Sequence, residues 1–268
     1  MENHMKKFLK PMLIAIAFVV FAMILASSFL YLKYIDKEHN LVLYTNEDHT
    51  QEVYILGTIH EYHFKPLLNY SYLDVQNVID NTKPDLLLLE VDQEIYNDYG
   101  VIKSPVEMIP LWCYAKEQGI NVKGVDWFKV TEESRSWTTN AERDDHIFEN
   151  TMKSIGDEPV VLIILGATHR IEQAKRFERS GYQQQEIQNR TACFTSNSNH
   201  MFQYPASTVA ELEKQIEYWN TIAPDKAIAA TDEDSKGRSY WVNRYQELIV
   251  SLQEIKETII VPNSLYKD

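Results

Sequence analysis

The sequence predicts an α/β fold, a mostly parallel sheet with helices on both faces, preceded by one transmembrane helix. Three observations carry this reading. Short, near-continuous apolar runs, such as DLLLLEV (85–91) and PVVLIIL (159–165), suit strands buried on both faces. Each is followed by a segment whose apolar residues recur three or four apart, the spacing of a helix that covers such a sheet. Ahead of them lies an uncharged run of 22 residues, 11–32, which at about 1.5 Å per residue would span a hydrocarbon core of about 30 Å.

The elements follow in order. The first ten residues, with Lys6, Lys7 and Lys10 against Glu2, carry a net charge of +2 and the other 258 carry −15. The positive-inside rule then predicts a single-pass protein of the cell membrane, its amino terminus cytoplasmic and everything after Lys33 extracytoplasmic. A cleaved signal peptide is the alternative, but the run exceeds the usual apolar core of one and lacks a small-x-small cleavage site. The expected organisation is a stub and anchor over 1–33, a linker over 34–46, and one domain over 47–268 whose final part, 195–268, carries a weaker signal.

Within the domain, 52–56 (EVYIL) reads as a strand ending at Gly57. Residues 71–81 have helical spacing until Pro84 stops them, and 85–91 is a strand. Residues 106–118 form a helix capped by Gly119, followed by the strand 121–125 running into Asp126. A helix over 142–154, a strand over 159–165 and a helix over 171–180 closed by Gly181 complete the regular part. Beyond the polar 195–200, helices are expected over 209–218 and 240–257, and a last short strand over 258–261.

Composition excludes several classes. With 44% hydrophobic and 24% charged residues the 268-residue chain is not a disordered one. A net charge of −13 repels phosphate backbones, so nucleic acid is not an expected partner. Cys113 and Cys193 are too few for a disulfide scaffold or a thiolate zinc site, although one bridge between them is open. The eight glycines form no G-x-G-x-x-G, Walker A or G-x-S-x-G motif.

Two segments resemble each other: VYILGTIH (53–60) and LIILGATH (162–169), each an apolar strand followed by Gly-x-x-His. Parallel strands deliver their carboxyl ends to one edge, where open α/β folds bind ligands. His60 and His169 are therefore expected on one rim, with Gly57 and Gly166 supplying the sharp turn or close approach that glycine permits. Glu90, Asp92 and Asp126 end other strands at the same edge, and His63 could join His60. Imidazoles with carboxylates suit a divalent metal, held by His60, Glu90 and His169, or a base and its orienting partner. Arg143, at the start of a helix, could hold a carboxylate such as Glu90, or a developing oxyanion, in bidentate geometry.

The ordered set of GTIH, Glu90, ERDDHIFENTM (142–152) and GATH resembles the TraB/PrgY and TIKI family and its erythromycin-esterase-like and ChaN-like relatives, over about residues 52–180. The resemblance implies that Gly57, His60, Glu90, Arg143, Gly166 and His169 are the functional positions. It also implies the chemistry of TIKI members, membrane-tethered metal-dependent peptidases, or of the esterase relatives, which open a lactone with a histidine base. The expected protein is thus a membrane-anchored extracytoplasmic hydrolase. It would be a metal-dependent peptidase using manganese, cobalt or zinc on a secreted peptide, or act on a small-molecule substrate. The rival reading is a non-catalytic protein that captures a peptide, haem or metal on the same rim, with Tyr44, Tyr54, Tyr62, Tyr70 and Tyr72 as an adhesive mouth.

Overall fold

The computed structural model describes residues 16–28, 36–64, 69–127, 141–196, 204–230 and 235–260. In chain order these form α1 (16–28), β1 (Leu41–Thr45), β2 (Glu52–Thr58), a 3-10 turn (His60–Phe64), α2 (Tyr72–Thr82), β3 (Leu86–Asp92), α3 (Gln93–Tyr99) and α4 (Met108–Glu117). They continue with β4 (Asn121–Asp126), α5 (Ala141–Ile155), β5 (Val160–Gly166), α6 (Ala167–Arg179), β6 (Gln183–Gln185), α7 (Arg190–Cys193), α8 (Thr208–Ala230) and α9 (Ser235–Ile260).

The sheet is mixed, six strands in the order β4-β3-β5-β2-β1-β6. The inner strands β4, β3, β5 and β2 are parallel, and β1 pairs antiparallel with both β2 and β6. Side chains alternate between two apolar layers. Leu86, Leu88, Val161 and Ile163 face Ile147 and Ile155 of α5 and Phe177 of α6. Leu87, Leu89, Leu162 and Ile164 face Val75 and Val78 of α2, Ile109 and Leu111 of α4, and Leu212 and Ile255 of α8 and α9. Helices cover both faces, which is why the inner strands read as continuous apolar runs rather than alternating ones.

Four expectations are corrected. The single-pass transmembrane helix is not seen: α1 covers 16–28, about 20 Å of helix. Among the described residues no helix is long and apolar enough to cross a membrane. The remainder of the expected span, 11–15 and 29–32, lies outside the described residues. The membrane localisation and the cytoplasmic-to-extracytoplasmic orientation, which rested on that helix, fall with it.

The stretch expected as a linker, 34–46, contains β1, all five of whose residues are buried. Its hairpin to β2 is fixed by Asn46, whose side-chain oxygen accepts from the backbone N–H of Thr50 and Gln51. The sheet is mixed rather than mostly parallel because β1 and the three-glutamine β6 extend it antiparallel. Residues 258–260, expected as a strand, continue α9, since Leu252, Ile255 and Ile259 share one buried helical face. Cys113 and Cys193 are both free thiols.

Candidate active site

β5 lies between β2 and β3, so the two strands that carry Gly-x-x-His are direct neighbours, with Gly57 opposite Leu165 and Thr58 opposite Gly166. Their carboxyl ends meet at one edge, where β3 brings Glu90 and β4 brings Asp126. The two repeats then diverge. After β2 the backbone enters the left-handed region at His60, φ 55°, and starts the 3-10 turn. After β5 the chain passes straight into α6, so His169 sits in a first helical turn.

Neither glycine of the repeats adopts positive φ. What they supply is space. A Cβ on Gly57 would lie 2.8 Å from Asn40 Oδ1 and 3.0 Å from Ala167 Cα, so Gly57 lets α6 begin against β2. A Cβ on Gly166 would lie 2.7 Å from both Cε1 and Nε2 of His60 and 3.4 Å from Glu90 Oε2. The glycine of the second repeat thus makes room for the histidine of the first.

Glu90 is the centre of the arrangement and is almost wholly buried. Its Oε2 accepts the Gly166 N–H at 2.6 Å, and its Oε1 accepts from Arg143 Nη2 at 2.9 Å and lies 3.7 Å from His169 Nε2. Arg143 also grips Asp126 with a fork, Nε to Oδ1 and Nη2 to Oδ2, each 2.9 Å, tying the ends of β3 and β4 to the start of α5. Burial pushes Asp126 towards the neutral form, but the guanidinium outweighs it and holds the carboxyl below the usual range. Arg143 is raised in return: burial opposes its charge, and Asp126 and Glu90 more than compensate.

Each imidazole has a buried carboxylate behind it. His169 Nδ1 lies 2.6 Å from Oδ1 of Asp144, the residue after Arg143 in α5. His60 Nδ1 lies 3.0 Å from Oε1 of Glu107, which also accepts the Thr58 hydroxyl at 2.7 Å. A carboxylate only accepts, so in both rings Nδ1 donates to it; His169 Nε2 lies towards Glu90, and His60 Nε2 lies over Gly166. For His60, burial disfavours the charged ring, but Glu107, with Glu90 and Glu61 behind it, prevails and raises the pKa to about 9. Glu107 is lowered correspondingly, burial being overcome by His60.

Two expected members lie elsewhere. Asp92 accepts the Ile95 N–H as the cap of α3 and pairs with Lys103 at 3.1 Å. His63 is 1% exposed, with both nitrogens engaged: Nε2 accepts the Ile59 N–H and Nδ1 donates to the Tyr70 carbonyl, each at 3.0 Å. Burial therefore drives its pKa down to about 4, and neither nitrogen is available as ligand or base. Tyr44, Tyr70 and Tyr72, expected at a binding mouth, are core residues.

Sequence reasoning missed Glu107 and Asp144. Asp144 had a signal, because it continues the buried stripe Ile147, Thr151 and Ile155 of α5. Glu107 had only its oddity, a charge in the apolar stretch SPVEMIPLW.

Among the described residues no three His, Cys, Asp or Glu side chains already surround a common point as a metal centre would require. The donor chemistry nevertheless fits a cation. Two carboxylate-backed imidazoles flank one carboxylate. Two buried carboxylates, Glu90 and Asp126, pair with Arg143, and two more, Glu107 and Asp144, with the imidazoles. Glu107 Oε2 is fully buried with no partner among the described residues. No family model, curated protein or solved structure matches this chain.

Proposed function

We propose that the chain is a hydrolase that cleaves a bond at a carbonyl carbon, in a peptide or a small-molecule ester, on the rim built by β2, β3, β4 and β5. The observation that carries this reading is the convergence on Glu90 of two histidines 109 positions apart, each with a buried carboxylate on Nδ1. A core histidine has no need of that arrangement, as His63 illustrates by satisfying both nitrogens with backbone. The motif set resembling TraB/PrgY and TIKI proteins favours a peptide.

Asp144 and Glu107 fix the proton on Nδ1 of each ring and direct the Nε2 positions to a common space. Arg143 is committed to Asp126 and Glu90, so its work is to orient Glu90 and balance its charge rather than to meet substrate. A divalent ion held by His60, Glu90 and His169 would supply a Lewis acid and a water acidified towards neutrality. The bare Gly166 keeps the rim open between His60 and Glu90.

The test is metal analysis of the purified chain together with hydrolysis of peptide and ester panels by His60→Ala, His169→Ala and the double variant. About one divalent ion per chain is expected, with most activity lost in each single variant and the double scarcely worse, because groups of one step lose activity non-additively. Full turnover after stripping the ion would replace the metal with histidine base catalysis. Ligand retention without products, or losses that multiply in the double variant, would overturn the hydrolase.

A further inference from the structure

We propose that Glu107, which lies outside both repeats, is a positioning residue that dictates which nitrogen His60 presents to the rim; the proposal rests on the metal-assisted reading of that rim. Glu107 precedes α4 at the position where a carboxylate ordinarily caps a helix by accepting its first N–H groups. It makes no such bond. Its carboxylate turns instead to the end of β2, where one oxygen takes both the Thr58 hydroxyl and His60 Nδ1.

A helix-stabilising role is thus not what the side chain performs. A space-filling role is a poor account too, because a fully buried carboxylate is costly without a charged or hydrogen-bonding partner. No lysine or arginine is paired with it among the described residues, and His60 is the partner of its charge.

His60 also needs holding. A non-glycine residue in the left-handed region carries a backbone penalty. The ring projects over Gly166, whose missing Cβ gives it nothing to rest against. The bond to Glu107 anchors Nδ1 and leaves Nε2 as the coordinating nitrogen. The second arm repeats the relation from a different element, with Asp144 of α5 on His169.

The experiment uses the full chain and zinc as the probe. Zinc affinity is measured by competition with a chromophoric chelator, and the tautomer of the His60 ring by nitrogen-15 NMR above pH 9, where the ring is neutral. Glu107→Gln keeps the size and removes the charge; it should weaken zinc binding by on the order of 10–100-fold and abolish the preference for a proton on Nδ1. Glu107→Asp keeps the charge but falls short of the ring, so the same loss is expected and carries the test if the glutamine variant does not fold. A parent chain that binds no zinc but keeps Nδ1 protonated only while Glu107 is present would sink the metal reading and uphold the positioning role. Unchanged zinc affinity with unchanged His60 signals in a folded variant would overturn the proposal.

Discussion

An alanine at Gly166 would bring its Cβ to 2.7 Å from the His60 ring, where non-bonded carbons settle at about 3.5–4.0 Å. The ring must retreat by about 1 Å. The backbone raises no objection, since Gly166 has φ −53° and ψ 146°, which any residue adopts. The obstacle is the tip of a side chain 38% exposed, which can give way as far as its bond to Glu107 allows. Loss of unfolded-state freedom on Gly→Ala stabilises by about 0.4–1 kcal/mol and offsets part of the strain, so the fold should change by no more than about 1 kcal/mol.

Activity should respond differently, because a misplacement of about 1 Å can cost on the order of 100-fold. Gly57→Ala is the counterpart. Its Cβ would press on Ala167 Cα, which belongs to the backbone where α6 begins and cannot swing, so about 1–3 kcal/mol of destabilisation is expected. Urea unfolding of both variants, beside zinc affinity and hydrolysis on the same preparations, reads the two quantities. A Gly166→Ala protein with full activity and zinc affinity, or one destabilised more than Gly57→Ala, would refute the assignment of space-making roles to the two glycines.

Two further outcomes follow from buried charge. His63 is held near pKa 4 by burial against an ordinary 6.5, so the folded chain binds its proton less readily than the unfolded one. Its contribution is complete above pH 6.5 and is lost as pH falls from 6.5 through 4, on the order of 3 kcal/mol in all. Urea unfolding from pH 7 to 4 should show that loss in the parent and not in His63→Gln, and parallel curves would contradict it. Arg143→Met leaves Glu90 and Asp126 buried without their cation and should cost about 3–5 kcal/mol, with Arg143→Lys between, since it keeps the charge but not the fork. A loss under about 1 kcal/mol for the methionine variant would show that the pair does not hold the strand ends together.

The sequence was legible where one residue's role is decided by its own segment. β3 is buried at every position, and a near-continuous apolar run has few other uses. It failed where a segment's role is set by its neighbours. β1 is five residues beside a polar turn and counts as a strand only because β2 completes its ladder, and β6 is all glutamine, with no apolar pattern to read. Of the uncharged run over 11–32, residues 16–28 are described as α1, and among the described residues no helix is long and apolar enough to cross a membrane.

The same division runs through the site. His60, Glu90, Arg143 and His169 could be nominated because strand and helix ends converge by topology. Asp92 and His63 stand at the right places in sequence, yet a helix cap and two backbone groups claim them first. Glu107, 47 positions from His60, belongs to the site only through tertiary placement.

Electrostatics joins the scaffold to the proposed chemistry. Four buried carboxylates, two of them paired with Arg143, are a poor way to stabilise a domain, because apolar side chains of similar volume usually serve as well or better. Arg143 settles the account for Asp126 and partly for Glu90. Glu107 is balanced by His60, whose second proton it helps to hold up to about pH 9, and Asp144 faces the His169 imidazole. His60 Nε2 lies over the bare Gly166 and His169 Nε2 lies 3.7 Å from Glu90, so the ring edges free of the backing carboxylates meet the rim. The large apolar layers on either face of the sheet hold the four strand ends that carry these groups. The same layers set the paired charges at the carboxyl edge, where the proposed cation or substrate would meet them.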